Sequence, residues 1–268
     1  MKVARSTYYS ILNHKASNRE IENNILKSKI FKVYCDNRKV YGSIKITRIL
    51  RDNGYPKLSV NRVSRLMKQL GIRSITIRKF KNYRNKQNEH SELKNLVNQN
   101  FSAQKPNQIW LSDITYIHTV KNGWTYLASV LDVCTRKIVG YSYGRKMDRS
   151  LVISALTNSW QNQNYPNNVI LHSDRGSQYT SSEYIAAAER MGFRLSYSKK
   201  GCPFDNAPME SFHSVLKKEE VYLKHYSSFY EANIRLFDYI NGFYNRYRIH
   251  SAINFLSPIQ FENSLFYS

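Results

Sequence analysis

Three acidic residues stand where a carboxylate is costly unless something is bound to it. Asp113 interrupts the apolar run Trp110-Leu-Ser-Asp113-Ile-Thr-Tyr116, and an unpaired charge buried there would be unfavourable. Asp174 closes Val169-Ile-Leu-His-Ser-Asp174, and Glu210 follows the helix-opening Asn206-Ala207-Pro208. Sixty residues separate Asp113 from Asp174, and 35 separate Asp174 from Glu210. Three hard oxygen donors, without His or Cys at zinc spacing, suit Mg²⁺ or Mn²⁺. Two such ions, about 3.5–4 Å apart, can activate an attacking hydroxyl and stabilise the leaving 3′ oxygen of a phosphodiester. Singly, each acid has a plainer reading: a hydrogen-bonded strand carboxylate, a turn residue, a solvated helix charge. Their combination on three separate elements favours the metal reading.

The elements that must position these acids are legible from about residue 105 onward. Ile109–Ile117, Trp124–Val133 and Ile138–Tyr143 are β-branched and aromatic runs separated by Asn122-Gly123 and by Thr135-Arg136-Lys137. Such short connections require antiparallel hairpins. A helical pattern follows at 149–161, then a buried-type strand Val169–Asp174 that puts Asp174 at the carboxyl edge where α/β sheets place their ligands. Thr180-x-x-Glu183 reads as a capping box for the next helix, which Gly192 closes. Arg194–Ser198 is a last strand. Glu210 lies on the helix after Pro208, and Ser228-x-x-Glu231 opens another. Three antiparallel strands, then helix, strand, helix, strand, helix, predict a ribonuclease-H-like α/β fold: a mixed sheet flanked by helices.

Charge divides the chain differently. It carries 41 Lys and Arg against 19 Asp and Glu, net +22 over 268 residues, an excess that points to a polyanionic partner. Residues 1–88 hold 22 basic and 4 acidic residues, net +18, while 89–268 hold 19 and 15, net +4. Residues 1–40 are weakly patterned helix, with Ile21, Ile25, Leu26 and Ile30 as a buried stripe. Ser43 then reads as the cap of a helix carrying Ile46, Ile49 and Leu50, stopped by Asn53-Gly54. Ser59 caps a second helix with Val60, Val63, Leu66, Met67 and Leu70 inward, ended by Gly71. Its other face offers Asn61, Arg62, Arg65, Lys68 and Gln69. Two short helices, the second with a basic, amide-bearing face, predict a helix-turn-helix at about 43–70 within an all-helical DNA-binding region, 1–88. A solvated basic face is the plainer alternative, and the net +18 weighs against it. The run Arg78-Lys79-Phe80-Lys81-Asn82-Tyr83-Arg84-Asn85-Lys86 can track a phosphate backbone or serve only as a solvated tether. Residues 89–104 complete the linker, and 105–268 form the catalytic domain.

Other features narrow the setting. Cys35, Cys134 and Cys202 lie far apart, which argues against a disulfide framework or a cysteine zinc site and fits a reducing cytosol. With no long apolar run and no signal-peptide pattern after Met1-Lys2-Val3, the expected location is the bacterial cytoplasm, in association with the nucleoid. Asp132 and Asp205 read as turn and capping residues. His172 and His213 flank the acids as lesser candidates for contact with DNA or a metal-bound water.

Four motifs carry a family resemblance over roughly residues 40–262: Trp110-x-x-Asp113-Ile-Thr-Tyr116, His172-Ser-Asp174-Arg-Gly-Ser-Gln-Tyr179, Asp205-Asn-Ala-Pro-Met-Glu210-Ser-Phe, and Tyr244-Asn-x-x-Arg248-x-His250 with Ser257-Pro258. Together they resemble the integrase-like transposases of the insertion-sequence-three family, within the retroviral-integrase superfamily. The resemblance implies catalysis by Asp113, Asp174 and Glu210 with two Mg²⁺ or Mn²⁺ ions. It also implies cleavage at the ends of an insertion sequence and transfer of the 3′ hydroxyl to other DNA, without a covalent protein–DNA intermediate or nucleotide cofactor. The family carries a basic residue seven positions after its Glu, which Lys217 matches. Two helical turns put Lys217 on the face of Glu210, so it is a candidate DNA contact along with Arg62, Arg65, Lys68, Arg78, Lys79 and Lys81. The His-His-Cys-Cys zinc module of retroviral integrases is absent from the sequence. Expected partners are double-stranded DNA, as terminal repeats and target, and further copies of the chain assembled on it. Members of the family are often made as a frameshift fusion with an upstream frame, and Val3–Tyr9 reads as the interior of a longer helical region. Two rivals are a DNA-binding regulator built on a decayed transposase and a structure-selective nuclease of the same fold.

Overall fold

In the N-terminal part of the chain each described helix buries one face. The computed structural model describes residues 9, 16–76, 93–199 and 202–266. Two compact units divide at Ile75/Thr76. In the first, α1 (Asn18–Asp36) opens on a capping box between Ser17 and Glu20. Its buried stripe is Leu26, Ile30 and Tyr34, whereas Ile21 and Ile25 are about half exposed. The i, i+4, i+8 row therefore runs toward the C-terminal end of α1, where the Tyr34 hydroxyl donates to the Arg73 carbonyl at 2.8 Å. Helix α2 (Ser43–Asp52) is capped by the backbone of Gly42, so Ser43 is its first turn and not its cap. It buries Ile46, Thr47 and Leu50 and ends at Asn53, with Gly54 beyond at φ +95°. Helix α3 (Val60–Gln69) is capped by the Ser59 hydroxyl, which accepts from Arg62 N–H, and it buries Val63, Leu66 and Met67. The α2–turn–α3 unit is the helix-turn-helix expected from the sequence.

The second unit is built on a five-stranded sheet. Strands β1 (Ile109–Thr119), β2 (Gly123–Asp132) and β3 (Ile138–Gly144) form an antiparallel meander. Strands β4 (Ile170–Ser173) and β5 (Arg194–Tyr197) add in parallel on the other side of β1, giving the order β3-β2-β1-β4-β5. Parallel neighbours require crossovers, supplied by α4 (Arg149–Asn162) and α5 (Ser182–Arg190). Helix α4 packs so closely on β3 that a Cβ at Gly140 would collide with Ser159. Helix α5 is capped by Ser181, one residue later than Thr180, and Glu183 pairs with Arg149 at 3.1 Å instead of closing a box. The core between sheet and helices contains Trp110, Val130, Val152, Leu156, Leu171, Tyr179 and Tyr184.

After a 3₁₀ turn (Pro203–Asn206) come α6 (Ala207–Glu219), α7 (Phe229–Phe237), a π-helical turn (Asp238–Tyr244) and α8 (Pro258–Phe266). This is the mixed, helix-flanked ribonuclease-H-like arrangement, with Asp174 one residue past the end of β4. Residues 93–99, read as linker from their composition, lie on this unit: Leu96 N–H donates to Ser196 Oγ at 2.9 Å and Tyr197 N–H to the Lys94 carbonyl at 3.0 Å. Among the described residues no helix is long and apolar enough to cross a membrane. Arg78, Lys79 and Lys81 lie outside the described residues, as do residues 3–8.

Candidate active site

Asp113 sits in the middle of β1, opposite Ser129 of β2 and one residue beyond the last parallel pair, Ser112–Ser173. Asp174 is therefore its neighbour on the adjacent strand end. The Asp174 residue is open to solvent, and its Oδ1 accepts from Gly176 N–H at 2.9 Å. A Cβ at Gly176 would stand 3.0 Å from that oxygen and 3.1 Å from Gln178 Oε1, so glycine lets the backbone close on the carboxylate without displacing either side chain. The Asp174 carboxyl is shifted above the ordinary carboxylate range. Protein atoms crowded around it contribute most and the charge of Asp113 adds to this, with the Gly176 N–H acting in the opposite direction.

The loop holding Asp174 is tied down on both sides. Arg175 Nε donates to the Ser198 carbonyl at 2.8 Å. Tyr179 is buried, with its hydroxyl 3.1 Å from Ser112 Oγ and its carbonyl accepting from Tyr197 at 3.2 Å.

Glu210 is in the first turn of α6. Two contacts bring this helix to Asp113. Asn206 Nδ2, at the helix entrance, donates to the carbonyl of Ser112 at 3.3 Å. One turn beyond Glu210, His213 Nδ1 lies 3.4 Å from Asp113 Oδ2, while the buried Nε2 has no hydrogen-bond partner. The other Asp113 oxygen accepts from Ile114 N–H at 2.8 Å. Asp113 and Asp174 thus lie within electrostatic reach of each other, and Glu210 rides on the helix that touches Asp113. Among the described residues, no three His, Cys, Asp or Glu side chains form a group that could hold a metal ion.

Two integrase core domain models match residues 103–203 and 210–266, and an HTH-like domain model matches residues 20–80. The chain is 38% identical over 252 residues to the transposase for insertion sequence element IS904 of Lactococcus lactis, covering 94% of this chain and 98% of that protein. It is 37% identical over 265 residues to transposase InsF for insertion sequence IS3A of Escherichia coli, covering 98% and 91%. The chain belongs to the insertion-sequence-three family of transposases. Among solved structures, the simian T-cell lymphotropic virus intasome in complex with PP2A regulatory subunit B56 gamma matches it at TM-score 0.50 and 15% identity, over 87% of this chain and 74% of that one, a likeness of fold alone.

Several sequence candidates play other parts in the transposase. His172 is fully buried, its ring held between Ser196 Oγ at 2.8 Å and Ser198 Oγ at 3.0 Å. Burial pushes its pKa down to about 4 from 6.5, although nearby Asp205 acts the other way. A base whose folded pKa is depressed contributes stability that is full above the unfolded pKa and is lost as pH falls toward the folded one. The fold should therefore lose about 3 kcal/mol between roughly pH 6.5 and pH 4 through this residue. Chemical denaturation across that range should show a smaller loss in His172→Gln than in the wild type; equal slopes would refute it.

Asp205 caps no helix. Its two oxygens accept from Asn95 Nδ2 (2.9 Å), Gln99 Nε2 (2.8 Å) and Lys199 N–H (2.8 Å), tying the 95–99 segment to the loop before Glu210. Asp132 does staple its turn, accepting from Thr135 N–H and Oγ1 and from Asn107 N–H, each at 2.8 Å.

The C-terminal motif is structural. Arg248 makes a buried bidentate pair with Glu219 at 2.7 and 2.8 Å, and His250 Nε2 stands 3.2 Å from Arg248 Nη1. The Asn245 amide pairs with both backbone groups of Ile138, at 2.9 and 3.0 Å, like an added strand residue.

In the helix-turn-helix, Arg65 and Lys68 are exposed on α3. Arg62 turns back to α1, with its guanidinium 2.9 Å from Glu22 Oε2 and also 2.9 Å from Asn23 Oδ1. Sequence periodicity groups Arg62 with the exposed face; the acid and amide on α1 draw it inward. Lys217 is half-buried in the last turn of α6.

Proposed function

We propose that this transposase cuts phosphodiesters at the ends of its insertion sequence and joins the freed 3′ hydroxyl to other DNA, with Asp113, Asp174 and Glu210 as its catalytic carboxylates. The observation that carries this reading is the placement of Asp113, in mid-β1, beside Asp174, one residue past the end of neighbouring β4, where crowding first and then the charge of Asp113 raise the pKa of Asp174. Like charges held together in a folded protein are unfavourable unless a cation neutralises them. The donors are hard oxygens on three separate elements, which fits Mg²⁺ or Mn²⁺, two ions in number. Three carboxylates have no electrostatic reason to converge before such ions bind. When bound, the metal would lower the barrier to attack by water or a 3′ hydroxyl and stabilise the leaving oxygen. The chain's own part is positional: Gly176 N–H holds one Asp174 oxygen, His213 orients Asp113, and Asn206 sets the start of the Glu210 helix.

Residues 1–88 would be the DNA-binding region, 89–104 its connection, and 105–268 the catalytic domain. Lys217 and the basic run Arg78, Lys79 and Lys81 would contact phosphates. Two DNA ends must meet for transposition, so the working form would be several copies on DNA, with an upstream-frame product as a possible further partner, in the bacterial cytoplasm. Joining of a labelled terminal oligonucleotide to plasmid DNA in Mg²⁺ tests the reading. A regulator would bind the end without joining it, and a structure-selective nuclease would cut without preferring it.

The surface of α3 also makes a prediction. Arg65→Ala should cost about 1–3 kcal/mol on the element's terminal sequence and little on random DNA, as loss of a base contact does. Arg62→Ala should weaken both alike, because it loosens the seat of α3 on α1. Binding isotherms of both variants on both DNAs decide it; equal losses for Arg65→Ala would leave α3 as a phosphate grip.

A further inference from the structure

The hairpin of β1 and β2 carries four rings that the acid site does not use. Tyr116 lies opposite Tyr126 and His118 opposite Trp124, so all four share one face of the sheet. Their rings meet edge to face: Tyr116–Trp124 at 6.4 Å and 86°, Tyr116–Tyr126 at 5.3 Å and 68°, His118–Trp124 at 5.2 Å and 76°. Trp124 is nevertheless 60% exposed and Tyr116 47% exposed. The platform is held firmly. At the hairpin tip Val120 and Lys121 N–H groups donate to the carbonyls of Tyr226 and Ser227, and Asn122 Oδ1 accepts from Phe229 N–H.

Its position relative to the acids is specific. Strand β4 stops at Ser173, opposite Ser112. Among the described residues, the part of β1 from Asp113 to Thr119 pairs with β2 alone. Tyr116 stands three residues along β1 from Asp113, roughly 10 Å away at about 3.3 Å per residue, and on the opposite face of the sheet. The edge beside Asp113 is met by α6, through Asn206 and His213, whereas the aromatic face stays exposed to solvent. The patch is made chiefly of aromatic and imidazole rings, with the exposed Val120 beside them at the hairpin tip. It adjoins the exposed Lys121 at the hairpin tip. A duplex keeps its base faces stacked on one another, whereas an unpaired nucleotide offers one to an aromatic ring, whatever the base.

We infer that Trp124, Tyr116 and His118 form a stacking platform for an unpaired nucleobase of the bound DNA, on the sheet face opposite the acids. This inference rests on the DNA-cleaving reading above. It is tested with the full chain by fluorescence anisotropy on two probes, a blunt duplex and the same duplex with a short unpaired thymidine tail.

The tail should raise wild-type affinity about tenfold, the scale of one stacked base. The gain should vanish when the tail nucleotides are abasic. Trp124→Ala should lose the gain while binding blunt duplex as the wild type does, and Trp124→Phe should keep most of it. Full retention of the gain by Trp124→Ala and Tyr116→Ala would overturn the inference. So would retention accompanied by loss of self-association in sedimentation, which would assign the patch to a second copy of the chain. Failure of the wild type to bind either probe would count against the DNA-cleaving reading itself and remove the inference with it.

Discussion

Asp113→Asn, Asp174→Asn and Glu210→Gln should each abolish strand cleavage and joining while leaving DNA binding near the wild-type level. The amides keep shape and lose charge, so the loss falls on the metal-dependent step. At a factor of ten per 1.36 kcal/mol, removing several kcal/mol of transition-state stabilisation lowers the rate by about a thousandfold or more. A second readout separates this from a folding defect. The Asp174 carboxyl is raised above its ordinary range, by crowding first and then by Asp113. Its ionised form therefore opposes folding: a carboxyl with a raised folded pKa supports the fold below its unfolded pKa and loses that support as pH rises. Asp174→Asn and Asp113→Asn should thus melt at or above the wild-type temperature at neutral pH. Added Mg²⁺ or Mn²⁺ should raise the melting temperature of the wild type and not of these variants, since a ligand stabilises only the state that binds it. Near-normal cleavage by any of the three would remove that residue from the catalytic set.

The strands were readable because their physics is local. Period-two apolar runs broken by Asn122-Gly123 or by Thr135-Arg136-Lys137 leave little choice but hairpins. Helix α3 was equally plain, with Ser59, Val63, Leu66, Met67 and Gly71 each agreeing on one register. What could not be read depends on distant partners. Arg62 has the helical phase of Arg65, yet Glu22 and Asn23, about 40 residues earlier, take its guanidinium. His172 stands two residues before Asp174, and strand alternation alone would give both the same face; what takes its ring is Ser196 and Ser198, about 25 residues later in the chain. Asp205 looks like a cap, and the residues that occupy it are Asn95 and Gln99, from a segment whose polar composition reads as tether. His213 was visible only as a neighbour of Glu210. Its contact with Asp113 follows from one helical turn of spacing together with the packing of α6 on β1.

Arg248→Ala should be the most destabilising single change in the C-terminal helices. Arg248 and Glu219 are both buried and joined by two charge-assisted hydrogen bonds, and the Tyr239 hydroxyl donates to the same carboxylate at 2.8 Å. Burial alone would lower the pKa of the guanidinium, but its bonds to Glu219 raise it overall, so it stays charged at every accessible pH. Removing one partner strands a buried charge and costs about 3–5 kcal/mol. At roughly 2–4 °C per kcal/mol for a unit of this size, the melting temperature should fall by about 6–20 °C. Replacing both partners with apolar residues, Arg248→Met with Glu219→Leu, should recover much of this loss, because no charge is left unpaired. Recovery should stay incomplete until Tyr239→Phe is added, since the hydroxyl loses its acceptor and an unsatisfied buried donor costs about 1–3 kcal/mol. Glu219 closes the helix that Glu210 opens, so joining activity should fall with Arg248→Ala and return with the triple variant. Loss of stability without loss of joining at a temperature where the variant is folded would confine the pair to packing. A single variant that melts like the wild type would show that the pair contributes nothing net.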